Sequence, residues 1–156
     1  MATSLHLLEE LSANGRKRLL DYGAEVEFPQ DTRIFREGRR ADRFWVVRSG
    51  SVRLDLGVPG HPPVIVETLH CGDLLGWSWF FPPYEWQLSA RTVSRVTALE
   101  FDAARVRRLC EADPELGYEL AWHVARIIGH RLQRARRRLL DTYGPYGLAP
   151  LTEESP

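Results

Sequence analysis

The sequence predicts a mainly β, α+β fold: a β-sandwich, jelly roll or barrel of short strands, with helices before and after it. Three observations select it. Between Gly23 and Phe101, apolar and polar residues alternate in short runs; glycine and proline turns punctuate those runs; and on both sides the apolar spacing changes to that of helices. With 156 residues, 44% hydrophobic and 27% charged, the chain is sized for one globular domain.

Residues 1–22 read as an N-terminal helical segment. Leu5, Leu8, Leu11, Leu19 and Leu20 fall at helical spacing, and Ser12-Ala13-Asn14-Gly15 interrupts them as a turn, giving one broken helix or two short ones. Residues 23–101 read as the β-domain. Ala24, Val26 and Phe28 alternate with Glu25 and Glu27, as Val52, Leu54 and Leu56 do with Ser51, Arg53 and Asp55, the period of strands with one wet face. FWVV, PVIVETL and RTVSRVTALEF supply further strands, bounded by Glu37-Gly38, Ser49-Gly50, Pro59-Gly60 and Cys71-Gly72-Asp73. Residues 102–142 return to helix. Asp102 N-caps AARVRRLCEA, and Asp113 followed by Pro114 caps and opens a longer helix that runs to about Thr142. Residues 143–156, YGPYGLAPLTEESP, have the glycine and proline content of a flexible tail.

The long helix carries a heptad pattern. Ala121, Ala125, Ile128, Leu132, Ala135 and Leu139 are separated by four, three, four, three and four residues, an a/d seam. Such a face packs either on the β-domain or on a second helix. Its narrowness, regularity and small side chains select close two-stranded pairing, and so a homodimer.

Composition excludes several classes of function. No apolar run approaches the roughly 18 to 20 residues that span a bilayer, and the N-terminus lacks the apolar core of a secretory signal, so a cytoplasmic location with no membrane partner is expected. Charge balances, 21 basic against 21 acidic residues, so no overall field draws the chain to nucleic acid. The arginines of RLQRARRRLL read as a solvated face. Cys71 and Cys110 form no CxxC pair, and His70, His123 and His130 join no zinc-spaced cluster, so neither disulfide, metal nor cofactor is expected. No GxSxG, HExxH or Walker-type loop offers catalysis, and no catalytic residue is assigned.

Several motifs in order point further. They are Ile34-Phe35-Arg36-Glu37-Gly38; Phe44-Trp45-Val46-Val47-Arg48-Ser49-Gly50-Ser51-Val52; Gly72-Asp73-Leu74-Leu75-Gly76; and Val96-Thr97-Ala98-Leu99-Glu100-Phe101-Asp102. On these the chain resembles the cyclic-nucleotide-binding domain superfamily, nearest to the sensor domain of the catabolite activator protein (Crp/Fnr) family, over about residues 5 to 142. The resemblance implies a jelly-roll-like β-roll, or double-stranded β-helix, with N-terminal helices and a long C-terminal dimerisation helix. It also implies that residues 72–90 are a phosphate-binding cassette, with Gly72, Asp73, Leu75, Gly76, Trp77, Ser78, Trp86, Gln87, Ser89 and Arg91 as its pocket residues.

Two departures qualify what the resemblance implies. In the family a glutamate after the second cassette glycine holds the ribose, and a later arginine, followed by Ser or Thr and Ala, pairs with the cyclic phosphate. Here the first position is Trp77, the second falls on Trp86 or Gln87 beside Glu85, and Leu88-Ser89-Ala90 follow. A buried phosphate needs a fixed cation, and losing one member of such a pair costs about 2–5 kcal/mol. Two readings follow. Either the pocket has become an apolar cavity or a filled core with weak, altered or lost cyclic-nucleotide binding, or a nucleotide stacks on a tryptophan with Arg91 or Arg95 reaching its phosphate. The first is preferred. The other departure is that the chain ends within about fifteen residues of Leu140, which leaves no room for the winged helix-turn-helix of the transcription factors.

The expectation is therefore a stand-alone dimeric regulatory or sensor domain that acts through a protein partner, its small-molecule effector unknown. The rival is a ligand-free scaffold whose aromatic cassette, GDLLGWSWFFPPYEW, is a docking surface. Exposure of Trp77, Trp79 and Trp86 separates the two.

Overall fold

The computed structural model describes residues 6–143; the first five residues and all of the expected tail after Tyr143 lie outside the described residues. The chain opens with two short helices, α1 (Leu7–Glu10) and α2 (Ala13–Leu20). The break falls at Leu11-Ser12, and Asn14 and Gly15 lie inside the first turn of α2 rather than in a connecting turn. Ser12 is the reason. Its hydroxyl accepts the Gly15 N–H at 3.1 Å, while its own N–H and hydroxyl donate to the Glu119 carboxylate at 2.6 and 2.9 Å. Gly15 is buried under this contact, and a Cβ there would meet Glu119 Oε2 at 3.0 Å.

Eight strands follow among the described residues: β1 (Gly23–Phe28), β2 (Arg33–Phe35), β3 (Arg43–Ser49), β4 (Val52–Leu56), β5 (Val64–Leu69), β6 (Leu74–Leu75), β7 (Ser89–Thr92) and β8 (Val96–Asp102). They form two antiparallel sheets, ordered β1-β8-β3-β6 and β2-β7-β4-β5, so the chain passes repeatedly from one sheet to the other in the manner of a jelly roll. The run RTVSRVTALEF, expected as one strand, is two. Thr92 ends β7 in one sheet, Val93-Ser94-Arg95 turn, and Val96 begins β8 in the other. Gly50 permits that corner. Its φ is +85°, and a Cβ would stand 2.1 Å from the Arg95 carbonyl oxygen.

Phe44, Trp45, Val46 and Val47 of β3 are all buried, because the strand is covered on both faces. Trp45 meets Phe35 of the opposite sheet, whereas Phe44 stacks between Trp79 and Phe101. Asp102 then caps α3 (Ala103–Ala112) by accepting the Arg105 N–H at 3.0 Å, and Asp113 accepts the Leu116 N–H at 3.3 Å at the start of α4 (Pro114–Tyr143).

The chain divides into two compact units, one ending at Val124 and one beginning at Ala125. In the first, Leu116, Leu120 and Val124, four residues apart, form a buried stripe of α4, and Leu7, Leu11, Leu19, Val106 and Leu109 are buried as well. Ala121 lies off that stripe and is exposed, as are Tyr118 and Trp122. In the second, Ala125, Leu132, Ala135 and Leu139 are exposed and Ile128 is half-buried. No helix among the described residues is long and apolar enough to cross a membrane.

Candidate functional site

The segment expected as the cassette leaves β5 through a turn fixed by two residues. Asp73 accepts the His70 N–H through its carboxylate at 2.8 Å, and Gly72, at φ +89°, donates to the Val47 carbonyl at 2.7 Å. The Asp73 carbonyl in turn accepts the Val47 N–H at 3.0 Å. This pins β6 to β3, where Leu75 stands opposite Trp45. Leu75 is fully buried.

Gly76 then turns the chain at φ +94°, and its open face is covered by an indole. A Cβ on Gly76 would lie 2.6 Å from the outer ring atoms of Trp86. Trp86 itself is 4% exposed, stacks on Phe35 at 3.9 Å between ring centroids, and lies 6.2 Å from Trp45. Phe35 is in turn stacked on Trp45 at 5.8 Å, and Phe28 meets Trp45 edge-on at 6.4 Å. The Trp45 indole N–H donates to the Glu100 carboxylate at 2.9 Å, which satisfies its one polar atom. The space between the two sheets beside Gly76 is thus occupied by rings from β1, β2, β3 and the cassette.

Backbone bonds hold Trp86 in place. Gly38 donates to the Trp86 carbonyl at 2.8 Å, Trp86 donates to the Arg39 carbonyl at 2.9 Å, and Ala41 donates to the Tyr84 carbonyl at 2.7 Å, so residues 84–86 lie as a strand-like edge along residues 38–41. A second aromatic group anchors the cassette's first half. Trp79 is fully buried on Phe44 at 4.0 Å and donates its indole N–H to the Gly76 carbonyl at 3.0 Å. Arg107 of α3 joins the two halves: it donates to the Trp79 carbonyl at 2.5 Å and lies 4.4 Å over the Tyr84 ring.

Most of the remaining expected pocket residues have partners of their own. Trp77 is half-buried and stacks on Phe81 at 5.7 Å, Ser78 is buried, and Gln87 is exposed with its amide donating to the Glu85 carbonyl at 3.2 Å. Ser89 accepts the Glu37 N–H at 3.0 Å. Arg91 pairs with Asp31 at 3.0 Å and Arg95 with Glu27 at 2.8 Å. Glu85 is exposed. Sequence reasoning did not single out Phe35, Trp45, Trp79, Tyr84 or Arg107 as site residues; for Arg107 no local signal existed, since its partners lie in a loop distant along the chain. Of the cysteines, Cys71 is exposed, whereas burial and then the neighbouring Asp113 and Glu111 push the Cys110 thiol up to about 11, which keeps it protonated.

Residues 25–113 match the family model of the cyclic nucleotide-binding domain. A CRP-like cAMP-activated global transcriptional regulator of Mycobacterium tuberculosis is 28% identical over 116 residues, covering 74% of this chain and 50% of that protein. The chain spans about half the length of the curated relatives it matches. Among solved structures, the catabolite activator protein of Thermus thermophilus superposes with a TM-score of 0.69 at 26% identity, covering 85% of this chain and 61% of that one. A cyclic nucleotide-binding domain from Methylobacillus flagellatus KT reaches a TM-score of 0.79 at 15% identity over 88% and 81%, a likeness of fold alone.

Proposed function

We propose that this chain, which belongs to the cyclic nucleotide-binding domain family, is a regulatory domain whose nucleotide pocket is filled by its own Trp86 and which works through a homodimer and a protein partner. The observation that carries this reading is the contact of Trp86 with Gly76: the ring lies where a Cβ would be 2.6 Å away, and its other face is stacked on Phe35. A ring so placed leaves no room for a ribose phosphate beside the glycine. Charge agrees with sterics. Trp77 stands where the family's glutamate is expected, and the arginine of β7, Arg91, shares a face with Arg33 and Arg53, opposite to that of the buried Ala90 and Thr92. A phosphate brought there would be desolvated without a cation, at a penalty of several kcal/mol.

Calorimetry with cyclic AMP, cyclic GMP and a cyclic dinucleotide tests the filled pocket. No heat of binding is expected below millimolar ligand; a micromolar dissociation constant for any of them, retained in Arg91→Ala, overturns the reading. The rival scaffold needs the cassette tryptophans at the surface; Trp79 and Trp86 are buried and Trp77 is half-buried, which argues against it.

The homodimer rests on the heptad seam of α4. Ala121, Ala125, Leu132, Ala135 and Leu139 are exposed in the single chain, Leu132 at 57%, which is a poor place for leucine unless a partner covers it. Sedimentation at tens of micromolar is expected to give a dimer, and Leu132→Glu a monomer with an unchanged far-ultraviolet spectrum. A wild-type monomer at that concentration removes the seam from the account.

A further inference from the structure

The register of the sheet β2-β7-β4-β5 sets Arg33 of β2 opposite Arg91 of β7, and Arg91 opposite Arg53 of β4. Residues directly opposite one another point to the same face, so three guanidinium-bearing side chains form a row across neighbouring strands, where like charges repel. Ala90 and Thr92, on either side of Arg91, point the other way and are buried, and a register shift in β2 between Arg33 and Phe35 sets Phe35 opposite Ala90. The row therefore lies on the face of the sheet away from Phe35 and Trp86.

One carboxylate serves two members of the row. Asp55, two residues along β4 from Arg53 and on the same face, is buried 3.6 Å from Arg33 Nη1 and 4.0 Å from Arg53 Nε. Those are ion-pair separations beyond hydrogen-bond range. Arg91 turns instead to Asp31, at 3.0 Å. Arg33 Nε and Nη1 and Arg53 Nε are consequently buried without a hydrogen-bond partner among the described residues. Buried donors on charged groups are almost always satisfied, and an orphan is often the mark of an ion that belongs there. Charge agrees, since three arginines against Asp55 and Asp31 leave one positive charge over.

We propose that the Arg33–Arg91–Arg53 row is an oxyanion site on the outer face of this sheet, taking the phosphate group of a small phosphate or phosphate monoester. Guanidinium forks match tetrahedral oxyanions with paired hydrogen bonds, and a row of three offers more than one fork. Asp55 holds the arginines together and does not touch the anion. Arg53, the most exposed of the three side chains at 38% against 28% for Arg91 and 22% for Arg33, opens the row by swinging outward, a rotamer change that a long unbranched side chain makes readily. The site is independent of the filled cassette on the other face.

Arginine Nε–H resonances of nitrogen-15-labelled protein, titrated with sodium phosphate at constant ionic strength, read it directly. The Arg33 and Arg53 signals are expected to shift saturably with phosphate and not with chloride. Arg53→Gln weakens phosphate about tenfold or more, as does Arg53→Lys, which keeps the charge and the fold but loses the fork. Arg95→Gln, in the exposed pair with Glu27, leaves the affinity unchanged. Methyl phosphate binding as tightly as phosphate identifies an esterified ligand, and binding about tenfold weaker a free anion; either keeps the site. No saturable shift, an equal response to chloride, or an affinity indifferent to Arg53→Lys overturns it.

Discussion

Trp86→Ala is expected to cost about 3–5 kcal/mol of stability, because it removes a large buried ring and leaves a cavity that the two sheets cannot close. Trp86 is 4% exposed, stacked on Phe35 at 3.9 Å, and in reach of Trp45. Its backbone bonds to Gly38 and Arg39 survive the substitution, so the cassette edge stays in place and the void is not filled by a moving loop. For a chain of this size that loss corresponds to a fall in Tm of about 6–20 °C. The void is apolar and aromatic-lined, the kind of cavity that remains dry and accepts a small flat ligand. Indole is therefore expected to raise the Tm of the variant while leaving the wild type unmoved. A loss below about 1 kcal/mol, or no response to indole, would mean that Trp86 does not fill the space beside Gly76, and the proposed function would lose its support.

Much of this architecture was legible because local signals and global fold agree. The change of apolar period at Gly23 and again at Asp102 matches the start of the first strand and the end of the last, and Asp102 and Asp113 cap the helices that their spacing announced. Where the reading failed, the deciding partner was distant. Asn14-Gly15 joined a helix because Ser12 is held by Glu119, far along the chain, and RTVSRVTALEF divides because the glycine that permits its corner is Gly50, on another segment. The cassette shows the same limit. Its glycines and its aromatic residues were visible in GDLLGWSWFFPPYEW, yet composition does not separate an aromatic surface from an aromatic filling. Only the register that brings residues 84–86 alongside residues 38–41 turns Trp86 inward. Arg91 was equally undecided, since the buried residues Ser89, Ala90 and Thr92 give no clean alternation; the pairing of Arg91 with Arg33 and Arg53 places it on the opposite face.

Gly76→Ala is expected to destabilise the domain by about 3 kcal/mol, from two sources that a second substitution separates. The backbone at φ +94° is one that a residue with a Cβ adopts only with strain, a penalty of order 1–3 kcal/mol that belongs to Gly76 itself. The new methyl would also stand 2.6 Å from the Trp86 ring, which cannot retreat because Phe35 is stacked behind it, and such overpacking costs about 1–3 kcal/mol more. Removing the ring abolishes the second term and leaves the first. In the double variant Gly76→Ala with Trp86→Ala, the losses are therefore expected to fall short of additivity by about 1–3 kcal/mol, the signature of two groups competing for one space. Gly72→Ala serves as the comparison: its φ of +89° is strained alike, but its Cβ would face the His6 ring, so paired with Trp86→Ala it is expected to be additive. Chemical denaturation of the four Gly76 and Trp86 combinations measures the coupling. Additive losses at Gly76 would show that ring and glycine do not share a site, whatever the stability of each variant alone.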